Sequence, residues 1–213
     1  MITVLFTDVE GFTAAAEKMD PQALMDWTNT YTEAMAEVVM QHGGVVDDYF
    51  GDAIKANFGV PVPRTTETEI RQDAVNAVEC ALAMQDELCR LNREWQKEAL
   101  PVVRLRVGIF TGPAVVGSQG STQRLKYTTL GDTVNVAARL ESLEKDSGDV
   151  AFGESLCRIL IGESTSRFLE GRYLTQSVGV LALRGKEEKV AVYRLIGRAT
   201  EDPDVKSAPG GRT

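Results

Sequence analysis

Residues 44–59, GVVDDYFGDAIKANFG, set the tightest condition on the fold. Two apolar six-residue runs, VVDDYF and AIKANF, flank Gly51-Asp52, the pattern of a β-hairpin closed by a tight turn. Three carboxylates, Asp47, Asp48 and Asp52, fall inside this hairpin. A strand pair that buries one face tolerates such charges only where something compensates them. The fold must therefore bring a partner, a cation or water to this hairpin.

The flanking sequence says what the hairpin joins. ITVLFTD (2–8) reads as a short buried strand ended by an acid. Residues 21–41 repeat apolar side chains at helical spacing, with Asp20 as N-cap, Pro21 at the first helical position and Gly43-Gly44 as the stop. A second amphipathic helix is predicted over 67–98, with Ile70, Ala74, Ala77, Val78, Ala81, Leu82, Leu88 and Leu91 on one side. VVRLRVGIF (102–110) alternates as a strand before a turn at Thr111-Gly112. PAVVGSQG is the next strand, and SQGSTQRLK (118–126) reads as a polar hairpin arm. Thr133 to Lys145 is a predicted helix with Asp132 near its start. Short strands and helices then alternate to about residue 197, and the polar, Pro/Gly-rich residues 198–213 read as a disordered tail. This order predicts one α+β sandwich over 1–197 rather than a doubly wound sheet.

Composition removes several function classes. The net charge is −8 with a pI near 4.8, which argues against nucleic acid as a partner. A phosphate ligand is still allowed, because a metal or a local basic cluster reverses the field within one site. Three cysteines without a CxxC spacing read as free thiols of a reducing, cytoplasmic compartment. One histidine, His42, leaves no material for a His dyad or a His-based zinc site. No apolar run is long enough to span a bilayer. The abrupt start at a strand suggests a module of a longer chain, with an upstream sensor or membrane region outside it.

Asp8 at the end of the first strand and Asp52 in the hairpin turn would meet at one sheet edge if the two elements are neighbours. Two hard carboxylates there, helped by a backbone carbonyl, suit Mg²⁺ or Mn²⁺ and the phosphates such ions carry. Next come Gly11, Phe12 and Thr13, where a glycine permits close backbone approach and amide groups could cradle a phosphate. Read singly, Asp8 is a strand-end cap and Asp52 a turn former.

Four motifs in order settle the reading. FTDVEGFT, FGDAIKANFG, RVGIFTGPAVVG and YTTLGDTVNVAARLES together resemble the class III nucleotidyl cyclase catalytic domain over residues 1–197. The resemblance implies a ferredoxin-like α/β core with an extra β-hairpin, an antiparallel-rich sheet flanked by helices, and a homodimer with active sites at the subunit interface. It also implies conversion of ATP or GTP to a 3′,5′-cyclic nucleotide and pyrophosphate with two metal ions, Mg²⁺ or Mn²⁺, per site. By resemblance Asp8, Asp52 and the Val9 carbonyl hold the metals, and Arg106 contacts the triphosphate. Asn135 orients the ribose, Arg139 stabilises charge on the α-phosphate, and Lys186 or neighbouring Arg184 binds phosphate. Asn135, Arg139 and Lys186 are supplied by the other subunit. A regulatory, catalytically silent cyclase-like domain is the rival reading, and the intact Asp8, Asp52, Asn135 and Arg139 argue against it.

The base pocket departs from the common pattern. Many adenylyl cyclases carry lysine three residues before the Gly of the hairpin turn, and animal guanylyl cyclases carry glutamate. Here the position is Asp48, and its partner position is Thr128. A carboxylate accepts from guanine N1–H and N2–H₂, and a threonine hydroxyl can donate to O6, whereas adenine N1 would face Asp48 lone pair to lone pair. This favours GTP, with ATP as the alternative. Strand alternation places Asp48 on the side opposite Asp47, so Asp47 is expected to be solvated, and Lys55 to pair with an acid or lie at the interface.

Overall fold

The structure, a computed structural model, describes residues 1–143, 155–182 and 189–199. The elements run β1 (Ile2–Glu10), α1 (Phe12–Ala16), α2 (Pro21–Gln41), β2 (Val45–Phe50), β3 (Ala53–Phe58) and α3 (Glu67–Lys97). They continue with β4 (Arg104–Gly112), β5 (Val115–Ser121), β6 (Arg124–Leu130), α4 (Asp132–Glu141), β7 (Cys157–Gly162), α5 (Glu163–Ser166), β8 (Tyr173–Ala182) and β9 (Lys189–Arg198). Seven strands form one sheet in the order β2-β3-β1-β4-β7-β9-β8, and β5-β6 is a separate ribbon. Among the described strands only β4–β7 is parallel; the other pairs are antiparallel. The mixed α+β sandwich expected from the element order is the fold observed.

The helices begin where the sequence signals put them. Asp20 accepts from the N–H groups of Gln22 and Ala23 at the start of α2. Thr66 and Glu69 form a reciprocal capping box at the start of α3. Both helices pack on one sheet face. There Leu5 and Val9 of β1, Ile54, Ala56 and Phe58 of β3, and Val107 and Ile109 of β4 share a core with Met35, Val39, Val78 and Leu88. Period-two alternation sends the intervening residues to the opposite face, where Val4 packs on Ala137 of α4. The helix lies hard against the sheet because Gly108 has no side chain. A Cβ there would stand 2.3 Å from both Ala137 O and Glu141 N.

Several boundaries differ from expectation. β1 continues two residues past Asp8, because Val9 and Glu10 still pair with Leu105 and Arg104. Thr111 and Gly112 are the end of β4, paired with Thr3 and Ile2, rather than a turn. α4 closes at Glu141, with Ser142 as its C-cap, short of Lys145. The tail expected beyond 197 begins inside β9, and residues 200–213 lie outside those described.

Candidate active site

The acidic pair forms at the end of β1. The Gly51-Asp52 turn, with Gly51 at φ 66°, carries Asp52 back beside β1. There Asp52 Oδ2 accepts from the Val9 N–H at 3.0 Å. Asp8 stands directly opposite Arg106 in the β1–β4 register, and the Arg106 guanidinium donates to its carboxylate. Burial raises the Asp52 pKa above the ordinary carboxylate range, and the charge of Asp8 adds to the shift. A half-buried acid whose ionised form is disfavoured by burial and by the neighbouring Asp8 charge is a fitting seat for a divalent cation, which removes that cost. Gly11, at φ 81° with open space where a Cβ would be, turns the chain from β1 into α1. α1 is a single five-residue turn, so Gly11, Phe12 and Thr13 offer amide groups there but little helix dipole.

Arg106 is shared. Its Nε lies 3.2 Å from Glu141 Oε1 on α4, yet neither atom makes a hydrogen bond of proper geometry among the described residues. Burial works against the Arg106 charge, but the bond to Asp8 and the charges of Asp8 and Glu141 together hold its pKa above the usual value. Glu141 is pushed up to about 7, by burial first and then by the charge of Asp8. Glu141 was not among the residues singled out from sequence. Its signal was its place two residues after Arg139, on the helix face turned to the sheet.

Asn135 and Arg139 lie one helical turn apart on α4. Asn135 is exposed, and Arg139 Nη1 is buried without a partner among the described residues. Thr133, at the same end of α4 as Asn135, sits over Gly112, six residues along β4 from Arg106, or roughly 20 Å at strand rise. One chain therefore does not bring Asn135 to Asp8. Lys186 and Arg184 lie outside the described residues.

The acids of β2 depart from the strand-alternation expectation. The β2–β3 register shifts between Val46 and Asp48, and this bulge lets both neighbouring acids reach the β5–β6 ribbon. Asp47 is not solvated. It forms a buried ion pair with Lys55 at 2.7 Å, with side-chain exposures of 4% and 5%. Thr128 Oγ1 donates to Asp47 Oδ2 at 2.8 Å. Lys55 Nζ also donates to Thr129 O at 2.9 Å and to Thr128 Oγ1 at 3.4 Å. Asp48 instead pairs with Lys126. Partial burial works against its charge, but the bond from Lys126 holds its pKa low. Thr128 thus spends its proton on Asp47 and presents a lone pair, not the donor that guanine O6 was expected to meet.

Removing one partner of so deeply buried a pair leaves an uncompensated charge. Lys55→Met is expected to cost about 3 kcal/mol in urea unfolding, and adding Asp47→Leu to recover much of the loss. A loss below about 1 kcal/mol would mean the pair is solvated in solution.

Comparison with known proteins decides the family. The model of the adenylate and guanylate cyclase catalytic domain matches residues 1–197. The chain belongs to this family. It is 33% identical over 196 residues to adenylate cyclase 1 of Rhizobium meliloti (strain 1021), covering 92% of this chain and 27% of that protein. The chain thus spans about a quarter of that relative's length. Among solved structures it resembles the adenylyl cyclase CyaB from P. aeruginosa, with a TM-score of 0.83, 30% identity and coverage of 93% and 95% of the two chains. It resembles the guanylyl cyclase Cya2 with a TM-score of 0.78, 29% identity and coverage of 95% and 94%. No helix among the described residues of this cyclase domain is long and apolar enough to cross a membrane.

Proposed function

We propose that this domain is an active purine nucleotidyl cyclase, working as a homodimer in second-messenger signalling, and that GTP is its preferred substrate. The observation that carries the activity is the joining of Asp8, Asp52 and the Val9 backbone where β1 ends beside the β2–β3 turn, with Arg106 beside them. Two divalent cations held by Asp8, Asp52 and the Val9 carbonyl would lower the pKa of the ribose 3′-hydroxyl and neutralise the leaving pyrophosphate. The chain's own groups do the rest. Arg106 binds the β- and γ-phosphates, with Lys186 or Arg184 as a further phosphate ligand. The exposed Asn135 holds the ribose so that the 3′-oxygen lies in line with the α-phosphorus. As the new P–O bond forms and pyrophosphate departs, the Arg139 guanidinium meets the charge building on the α-phosphate.

The separation of Asn135 and Asp8 within one chain supports the dimer. In this reading the Asn135 and Arg139 that serve one metal half come from a second copy. Exposed apolar residues support such a contact: Phe50 at the β2–β3 turn, and Leu125 and Tyr127 on the ribbon, are each more than half exposed.

Preference for GTP rests on Asp48. Held ionised by Lys126 beside it, it accepts from guanine N1–H and N2–H₂, while the Lys126 ammonium would donate to O6. One observation favours ATP instead. Thr128 offers a lone pair, which suits the adenine N6 amino group. Turnover of the purified dimer with GTP and ATP side by side, in Mg²⁺ and in Mn²⁺, decides both points. Cyclic GMP in excess is the expected result. Cyclic AMP in equal or greater amount overturns the substrate choice, and no cyclic product from either nucleotide overturns the activity.

A further inference from the structure

The Arg106 position contains a conflict that a metal-binding role for Asp8 must resolve. The guanidinium donates to Oδ2 of the carboxylate that the proposed cations require, so the two compete at that oxygen. The release needs a place for Arg106 to go, because a half-buried guanidinium stripped of its counter-charge is costly. Glu141 is that place. Its residue exposure is 9%, and its Oε1 and the Arg106 Nε stand 3.2 Å apart with no hydrogen bond yet made by either. A small rotation of the arginine would align them.

The backbone of Glu141 is fixed. Its N would stand 2.3 Å from a Cβ placed on Gly108. Arg158 Nη2 donates to Glu141 O at 2.5 Å, and Arg158 Nη1 to Leu143 O at 2.7 Å, pinning the end of α4. The movable member of the pair is therefore the long Arg106 side chain.

We infer that Glu141 is a positioning residue that receives Arg106 when metal takes Asp8, so that one side of the guanidinium is anchored on α4 and its other N–H groups are freed for phosphate. This rests on the metal-binding reading of Asp8. It adds a residue that touches neither metal nor nucleotide and yet sets the affinity for both.

The test is a double-mutant cycle read by calorimetric titration of the full chain with Mn²⁺ alone. Glu141→Gln is isosteric, so packing is kept, and circular dichroism checks the fold. In the wild-type background the loss of Glu141 charge is expected to weaken Mn²⁺ binding about tenfold, as loss of an outer-shell support does. Arg106→Met alone is expected to bind Mn²⁺ more tightly than wild type, because the competitor is gone. In the Arg106→Met background Glu141→Gln should then change affinity by less than about twofold, since the coupling runs through the arginine. An equal loss in both backgrounds would show that Glu141 acts only as a nearby charge, and no loss in the wild-type background would show that it does not receive Arg106. Asp8→Asn separates this from the underlying reading. If it leaves Mn²⁺ binding intact, the metal assignment fails; if it abolishes binding while the cycle shows no coupling, only the role of Glu141 fails.

Discussion

Asp8→Ala is expected to reduce cyclic nucleotide production by about 10³-fold or more, beyond the loss typical of a single catalytic hydrogen-bond donor. Asp8 does two things at once. It is one of two carboxylates available to the cations where β1 ends beside the β2–β3 turn, and it is the resting partner of Arg106. Its loss removes a ligand and frees an arginine beside the remaining acid, Asp52. Stability should fall only modestly, because the repulsion that adds to the Asp52 shift is relieved and Arg106, stripped of Asp8, still has Glu141 Oε1 3.2 Å from its Nε. Arg139→Ala should be comparably inactive, for a different reason: the cations bind but the charge on the α-phosphate is unmet. The two inactive chains should rescue each other when mixed. In a two-fold dimer with interfacial sites, half the mixed dimers pair the two variants and each of these has one intact site, so about a quarter of the wild-type sites return. Retained turnover in Asp8→Ala would remove the metal assignment. Failure of the mixture to recover activity, with dimers verified by sedimentation, would mean that each chain builds its own site.

The parts of this fold legible in the sequence were those governed by short-range rules. Asp20 and Pro21 mark the start of α2 through local hydrogen bonds, and the Gly51-Asp52 turn fixes both hairpin strands. The four motifs likewise carry Asp8, Asp52, Arg106, Asn135 and Arg139 in fixed spacing. Side-chain partners set by long-range packing were not legible. The bulge at Asp47 cannot be read from an alternating pattern, because one extra residue in β2 reverses which acid meets which lysine. Lys55, in the middle of an apolar strand, was the visible sign that a buried counter-charge must exist, but nothing local told Asp47 from Asp48. Lys126 and Glu141 were not singled out for the same reason. Each gains its meaning only from a contact across a sheet edge or a helix–sheet interface.

Asp48→Lys should invert the base preference, and its outcome depends on Lys126. A lysine at 48 removes the acceptor for guanine N1–H and N2–H₂, leaving two donors of the base unmet. It also sets two ammonium groups side by side, since Lys126 now has no carboxylate, so the single variant should lose GTP turnover without gaining full ATP turnover. Adding Lys126→Asp restores the pair with donor and acceptor exchanged. The introduced ammonium on β2 can then donate to adenine N1, and the introduced acid on β6 can join Thr128 as an acceptor for the N6 amino group. For this exchange the ratio of kcat/KM for GTP over ATP is expected to fall by roughly 10²- to 10³-fold. The shift should stay below the limit for a sealed pocket, because the Asp48 side chain is 33% exposed in the single chain and water can partly satisfy a mismatched edge. Dimer formation and the unfolding midpoint should be nearly unchanged, as a part-exposed ion pair contributes little to stability. Persistent GTP preference in the exchanged variant would place the purine edge elsewhere, with the buried Asp47–Lys55–Thr128 cluster, where β2 and β3 meet the ribbon, a polar group able to read it.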